Sequence, residues 1–135
     1  MLLAIDIGNT NIVIGGIQDD QIVFEARIAT LVEKASISLT ARDDAGSLIG
    51  VCFGITDFAY WLFITDLGVV REWTGRGVGK ALVRELHRIA GGKENIIMYT
   101  CANENATGFY EKLGMAKPDD VYVLNRIHWT DFTVE

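Results

Sequence analysis

Hydrophobic residues between positions 78 and 90 recur every three or four positions, which predicts a helix with one buried stripe. Charged residues, among them Lys80 and Arg84, occupy the opposite face. Gly91 and Gly92 follow directly and predict where the helix ends. The apolar stripe consists of Val78, Leu82, Val83, Leu86, Ile89 and Ala90.

Apolar runs on both sides of this helix predict strands. Three of them, Ser36–Arg42, Leu48–Ile55 and Ala59–Val70, are predicted to form an antiparallel meander, the first as a half-buried strand because its apolar and polar residues alternate. The nearly continuous apolar run Asn95–Ala102 predicts a central, buried strand. A last strand is predicted over Val121–Trp129.

A second, shorter helix is predicted from about Ala106 to Leu113. Asn103 or Asn105 is expected to cap its start, and Gly114 is expected to end it. Ahead of the meander, short strands are predicted near residues 2–7, 12–17 and 21–28, separated by Gly-Asn and Asp-Asp turns. Residues 31–35 resemble the tail of a helix.

The length and the net charge of the chain limit the classes of function that it can have. With 135 residues, half of them hydrophobic, the chain is expected to bury the core of one domain. A net charge of −6 argues against a nucleic-acid partner, which usually requires a basic face. His87 and His128 have no ligand-like neighbours in the sequence, so no metal site is predicted.

The location of the protein is predicted to be cytoplasmic. Asp6 and Gly8 interrupt the apolar start, so no signal peptide is expected, and no run is apolar enough to cross a membrane. Cys52 and Cys101 lie in apolar, strand-like runs, which favours buried free thiols over a disulfide or a catalytic cysteine.

The stretch Leu67–Lys80 reads as a strand, a glycine-rich turn and the start of a helix. A helix leaves its first N–H groups without intrahelical partners and carries partial positive charge there. Gly75, Gly77 and Gly79 would let a pyrophosphate reach those donors. The same spacing also fits a tight turn that binds no ligand.

Two motifs in this order resemble those of the GNAT acetyltransferases. Residues 74–79, Thr-Gly-Arg-Gly-Val-Gly, are similar to the family's acetyl-coenzyme A motif, although Thr74 stands where Arg or Gln is usual. Residues 103–115 are similar to its second signature, with Tyr-Glu-Lys-Leu-Gly at 110–114. The resemblance implies that acetyl-coenzyme A is bound by Leu67, Val69, Val70, Thr74, Gly75, Arg76, Gly77, Val78, Gly79, Lys80, Asn103, Ala106 and Tyr110.

The resemblance also implies catalytic roles. The backbone N–H near Val69 is expected to face the thioester oxygen, and Tyr110 to protonate the departing sulfur, although a tyrosine on an apolar helical stripe is often a core residue. Asp66 is the nearest acid for accepting a proton from the amine, or it serves to orient its neighbours. Glu72 and Glu104 are weaker candidates for the base.

Residues 1–30, which contain Asp6-Ile-Gly-Asn-Thr10, resemble the start of type III pantothenate kinases. Those enzymes belong to the actin-like ATPase superfamily, in which the Asp acts with a metal beside the phosphates of ATP. The remaining half of such a fold does not follow. We therefore predict a chimera-like chain, in which residues 1–30 form hairpin strands and residues 31–135 form a GNAT domain, together one compact domain.

The predicted fold is α/β, with a mixed, mostly antiparallel sheet, flanking helices and a splayed central strand pair. The amino-terminal hairpins replace the first strand and helices usual in the family, and the strand near residues 2–7 is expected to take the edge position. The predicted function is transfer of acetyl to an amine of a small molecule or peptide in a ternary complex. The alternatives are a coenzyme A binding module without turnover and a nucleotide-binding protein. The edge strands also favour a homodimer.

Overall fold

The computed structural model describes residues 4–7 and 33–124. In this part of the chain a mixed sheet has its strands in the order in which they occur in the sequence, antiparallel except for the last pair. The strands are β1 (Ala4–Ile7), β2 (Ile37–Arg42), β3 (Leu48–Thr56), β4 (Trp61–Val69) and β5 (Ile97–Thr100), and the helices are a 3₁₀ turn (Arg71–Trp73), α1 (Val78–Ala90) and α2 (Thr107–Lys112).

The predicted α/β fold with a mixed, mostly antiparallel sheet is confirmed, and so is the helix over residues 78–90. The sheet and α1 belong to one compact unit that runs to Ala102, and α2 belongs to a second that begins at Asn103. β1 pairs with β2 and takes the expected position at the edge of the described sheet. The predicted strands near residues 12–17 and 21–28 lie outside the described residues.

Two glycines of β3 allow α1 to lie close to the sheet. A Cβ atom on Gly50 would lie 3.0 Å from Leu82 Cδ1, and one on Gly54 would lie 3.1 Å from Leu86 Cδ2. Larger residues at these positions would push the helix outward. The apolar stripe of α1 is buried here as predicted, except that Ile89 is only half-buried.

The register of β2 and β3 identifies the two faces of the sheet. Ile37 pairs with Gly54 and Ala41 with Gly50, so the odd-numbered residues of β2 share the face that carries α1. Ser38 and Thr40 lie on the opposite face. Both are nevertheless buried, so the prediction of a half-buried β2 is wrong. Alternation of polarity failed here because small hydroxyl side chains fit inside as well as outside.

The turn between β3 and β4 is organised by Asp57. Its carboxylate accepts hydrogen bonds from the backbone N–H groups of Ala59, Tyr60 and Trp61, at 3.0, 2.8 and 3.0 Å. These bonds lower the pKa of Asp57 to about 2. Phe58, at the centre of the turn, has a left-handed φ of 58°, which is unusual for a bulky residue and is held by the surrounding bonds.

Two of the predicted strands differ in the structure. β5 is shorter than predicted and has β4 as its only neighbour in the described sheet, with Ile97 43% exposed, so it is not a central buried strand. A continuous apolar run did not distinguish an edge from the middle of a sheet. Residues 121–124 form no strand and are exposed, and the rest of the run predicted to reach Trp129 lies outside the described residues.

The two cysteines differ in exposure. Cys52 is fully buried, and burial is the main reason why its pKa is raised to about 12, with Asp66 adding to the effect. Cys101 is exposed just after β5, so its predicted burial is wrong. Both thiols are free, as predicted. Neither thiol has the setting of an activated nucleophile, because Cys52 is kept neutral and no basic partner is seen at Cys101 among the described residues.

In the second unit, α2 follows a turn rather than a side-chain cap. The N–H of Ala106 donates to the carbonyl of Asn103, and Thr107 Oγ1 donates to the carbonyl of Glu104 at 3.1 Å. The N-cap is Ala106, without a side-chain bond, so the predicted asparagine cap is wrong. Gly114, with a φ of 89°, ends the helical segment as expected.

Candidate functional site

The parallel pairing of β4 and β5 stops halfway along β4. The paired segments are Trp61–Ile64 and Ile97–Thr100, whereas β4 continues beside β3 to Val69. Beyond Ile64, β4 therefore has an edge that no described strand pairs with. This divergence is the splayed strand pair that the sequence predicted.

Backbone donors line this open edge. The N–H of Val70 donates to the carbonyl of Ile49 at 2.9 Å, across the β3 side. Since successive N–H groups of a strand point to opposite sides, those of Leu67 and Val69 point toward the open edge. Val70 was also a predicted cofactor contact, but its N–H is engaged by Ile49, and its carbonyl accepts from Trp73 at 2.9 Å.

A β-bulge interrupts β4 just before this edge. The register shifts at Phe53 and Gly54 of β3, which leaves Thr65 as the extra residue of β4. Thr65 Oγ1 donates to the carbonyl of Phe53 at 3.3 Å. The bulge puts Asp66 opposite Phe53, on the sheet face away from α1.

Asp66 is half-buried at that position. Burial raises the pKa of its carboxyl group, and a hydrogen bond from Thr65 partly offsets the rise. A carboxylate with a raised pKa is a stronger base than an ordinary aspartate. The predicted proton acceptor therefore lies beside the bulge, on the residue that precedes the open edge.

The glycine turn leads from β4 into the start of α1. Gly75 and Gly77 have φ values of 75° and 87°, which L side chains rarely adopt, and a Cβ atom on either would meet nothing within 4 Å. These glycines are therefore required by the backbone conformation and leave open space above it. The first helical bond here runs from Ala81 to Gly77, so the N–H groups of residues 78–80 are not used within the helix.

The side chains around the turn include one hydroxyl group and two cationic groups. Thr74 Oγ1 donates to the carbonyl of Arg71 at 2.7 Å and so closes the 3₁₀ turn. The guanidinium of Arg76 lies 4.8 Å from the ring centroid of Trp73, a cation–π contact that the sequence did not predict. Arg76 and Lys80 are exposed. The turn thus combines backbone donors with positive charge, which suits a phosphate.

Three predicted site residues, Asn103, Ala106 and Tyr110, belong to the second unit. The ring of Tyr110 is half-buried and packs edge-on against Phe109, with 5.0 Å between the centroids. Its carbonyl accepts from the N–H of Met115 at 3.1 Å. The first unit, by contrast, brings together Asp66, the open edge of β4 and the glycine turn.

The described residues include no group of three or more His, Cys, Asp or Glu side chains arranged to hold a metal ion. None of the described helices is long and apolar enough to cross a membrane.

The model of the acetyltransferase (GNAT) family matches residues 14–115. Among solved structures, a GNAT-family acetyltransferase of Streptococcus pneumoniae is 17% identical with a TM-score of 0.62 (93% of this chain, 100% of that one). An acetyltransferase of Trypanosoma brucei is 19% identical with a TM-score of 0.60 (91% and 99%). AAC(6')-Iy, solved with the bisubstrate analogue CoA-S-monomethyl-acetylneamine, is 16% identical with a TM-score of 0.61 (95% and 100%).

A different similarity covers a short segment. A type III pantothenate kinase of Finegoldia magna is 58% identical over 44 residues, which are 31% of this chain. The aligned segment spans only 17% of the kinase. The similarity is therefore local.

Proposed function

The chain belongs to the GNAT acetyltransferase family, and from that premise we propose that it transfers the acetyl group of acetyl-coenzyme A to an amine in a ternary complex. The observation that carries the proposal is the continuity of the open edge of β4 with the glycine turn. Leu67 and Val69 offer donors along the edge, and Gly75 and Gly77 open the start of α1.

The residues of the first unit suit acetyl-coenzyme A in shape and charge. The pyrophosphate would lie over Gly77 and the unused N–H groups that start α1, with Arg76 and Lys80 near enough to add positive charge. The pantetheine arm would lie along β4 beside Leu67 and Val69. When bound, the cofactor supplies an activated acetyl thioester.

One residue is proposed for each of three events in the reaction: loss of a proton by the amine, development of the oxyanion and protonation of the sulfur. Asp66 accepts a proton from the amine, so that the nitrogen forms a bond to the thioester carbonyl. The N–H of Val69 donates to the oxyanion that develops. Tyr110 gives a proton to the sulfur as the carbon–sulfur bond breaks, and the products are an amide and the free thiol of coenzyme A.

The direct test is a turnover assay on the intact chain with acetyl-coenzyme A and a panel of primary amines, with acetylated product measured by mass spectrometry. Initial rates at several concentrations of both substrates are expected to give intersecting double-reciprocal lines, as a ternary complex requires. Binding of acetyl-coenzyme A without acetylation of any amine would favour the alternative, a binding module without turnover. Thr74, whose hydroxyl is engaged by Arg71, is the feature that favours that alternative.

We also propose that the first 30 residues derive from a type III pantothenate kinase, with the GNAT domain over residues 31–135. The support is the local 58% identity to the kinase of Finegoldia magna. The family model begins at residue 14, within this segment. Retention of the ATPase function would appear as magnesium-dependent ATP binding that an Asp6→Asn variant loses, and we expect no such binding.

A homodimer is proposed on the ground that β1 and β5 are the edge strands of the described sheet. Light scattering coupled to size-exclusion chromatography would give a mass near twice 14.9 kDa if it forms. A mass of one chain would exclude it.

A further inference from the structure

Cationic side chains follow one another along the exposed face of α1. Lys80, Arg84 and Arg88 recur at intervals of four residues, which places them on one side of the helix, and all three are exposed. Arg76 lies one residue before the N-cap, Gly77, and extends the series to the glycine turn. The four side chains Arg76, Lys80, Arg84 and Arg88 are called the cationic row below.

The cationic row is opposite in sign to the chain that carries it. Glu85 is the only acid in α1, and it accepts a hydrogen bond from Arg88 Nε at 2.9 Å, so these two charges offset each other. Neither Lys80 nor Arg84 has an ion-pair partner among the described residues. Their charges are therefore uncompensated on a protein whose net charge is −6.

The start of α1 is kept clear of negative charge. Its first turn contains no acid, although the partial positive charge of a helix start usually favours Asp or Glu there. In the preceding 3₁₀ turn, Arg71 and Glu72 carry opposite charges. Arg76 is held beside the turn by its contact with the ring of Trp73, at 4.8 Å. Positive charge therefore continues from the cationic row to the unused N–H groups that begin the helix.

The cationic row is longer than the turn to which it leads. With a rise of about 1.5 Å per residue, Arg84 lies roughly 9 Å and Arg88 roughly 15 Å along the helix axis from Val78. The Debye length is about 10 Å at 0.1 M salt, so the charge of Arg84 is felt at the start of α1 without contact. Arg84 thus suits a role in the approach of an anion rather than in its binding.

We propose that the cationic row steers the acetyl donor to the glycine turn; this rests on the proposed binding of acetyl-coenzyme A. Fixed charges of one sign attract an approaching ligand of the other sign and raise its association rate, until salt screens them. The pyrophosphate and the ribose phosphate make the cofactor a polyanion. Because the chain as a whole is negative, it repels the cofactor elsewhere, and the cationic row is the favoured line of approach.

The test measures kon and koff of acetyl-coenzyme A by rapid mixing, with the fluorescence of Trp73 as the reporter beside the turn. At an ionic strength of about 0.1 M, Arg84→Gln should lower kon about threefold, because one charge about a Debye length from several phosphate charges has an effect of this order. The koff should stay unchanged. The difference in kon should grow toward about 0.01 M and vanish near 1 M, where the Debye length is about 3 Å.

Lys93→Gln is the matched control. It removes the same charge from an exposed position beyond the other end of α1, roughly 20 Å from the start of the helix. At about 0.1 M its kon should equal that of the wild type. Equal slowing by the two variants would reflect net charge alone and would overturn the inference, as would an Arg84→Gln variant with unchanged kon. A raised koff in Arg84→Gln would make Arg84 a contact residue and would overturn it as well.

Calorimetric titration separates this inference from the proposed function. The Kd of Arg84→Gln for acetyl-coenzyme A should rise by the factor by which kon falls. A wild type that does not bind acetyl-coenzyme A would overturn both the steering and the proposed function. Binding with rates that do not depend on Arg84 would overturn the steering alone.

Discussion

The end of β4 that leads into α1 and the sheet face away from α1 differ in the groups that they present. At the end of β4 the useful groups belong to the backbone, at Leu67, Val69 and the first turn of α1, and glycines keep side chains away. On the opposite face the notable groups are side chains, the half-buried carboxyl of Asp66 and the buried hydroxyls of Ser38 and Thr40. A backbone site tolerates the loss of a neighbouring side chain but not the gain of one at its glycines, whereas a side-chain site is lost with the side chain itself.

The largest effect, a loss of kcat, is expected for a change to the side chain of Asp66. Asp66→Asn keeps the shape and removes the proposed proton acceptor, so kcat should fall by about 100-fold or more. For the wild type, kcat/KM should rise with pH through a carboxyl pKa above the ordinary aspartate value, because burial raises that of Asp66. Steady-state rates measured against pH would show both effects.

The stability of the same variant distinguishes catalysis from structure. The raised pKa means that the folded state disfavours the ionised carboxyl, so the wild type gains stability as pH falls through the shifted pKa and loses it as pH rises. Asp66→Asn should remove this dependence and melt higher than the wild type at neutral pH. A lower melting temperature together with unchanged kcat would assign Asp66 a structural role.

The next effect concerns the contact that positions α1. Gly54→Ala puts a Cβ atom 2.8 Å from Leu62 Cδ1 and 3.1 Å from Leu86 Cδ2, so both side chains must shift. We expect a loss of about 1–3 kcal/mol in the free energy of unfolding. Gly68→Ala, also in a strand but with a nearest contact of 3.6 Å, is the control and should cost much less. Urea denaturation measures both, and equal losses would mean that α1 packing does not limit position 54.

A smaller effect is expected for a side chain at the backbone site. Thr74→Ala removes a hydroxyl that is already bonded to the carbonyl of Arg71, so Kd for acetyl-coenzyme A should change by no more than a few-fold, on the order of 1 kcal/mol. Calorimetric titration measures this change. A loss of 100-fold or more would show that a side chain, and not the backbone, dominates binding at the turn.

The smallest effect lies far from both regions, at the turn held by Asp57. The three backbone bonds to its carboxylate lower its pKa from 3.8 to about 2, so they stabilise the folded state above the unfolded pKa and are lost as pH falls through that range. Asp57→Asn should therefore melt slightly lower than the wild type at neutral pH, and the difference should close near pH 2. A difference independent of pH would contradict this account.

The backbone half of the comparison was predictable from the sequence. Positive φ values demand glycine, so Gly75, Gly77 and Gly91 mark the turn and the end of α1 in the printed chain. The 3.6-residue period of apolar positions located α1, because one buried stripe determines which positions of the helix are apolar. Pairing order followed from short connections between the strands of the meander.

The side-chain half was not predictable to the same extent. Burial of Ser38 and Thr40 depends on what covers their face, which alternation of polarity along β2 does not encode. The raised pKa of Asp66 depends on the burial of its carboxyl group, which sequence spacing does not encode. The edge position of β5 depends on the number of neighbouring strands, and its apolar run is compatible with either place.

The central claim is that the backbone at the start of α1 binds acetyl-coenzyme A. Gly77→Glu and Gly92→Glu form a matched pair, since their φ values are 87° and 85° and a Cβ atom at either meets nothing within 4 Å, but only Gly77 lies at the proposed site. In calorimetric titration with acetyl-coenzyme A, the wild type and Gly92→Glu should bind with similar Kd. Gly77→Glu should lose affinity by about 100-fold or more, because its carboxylate faces a pyrophosphate. Equal affinities for the two variants would contradict the claim.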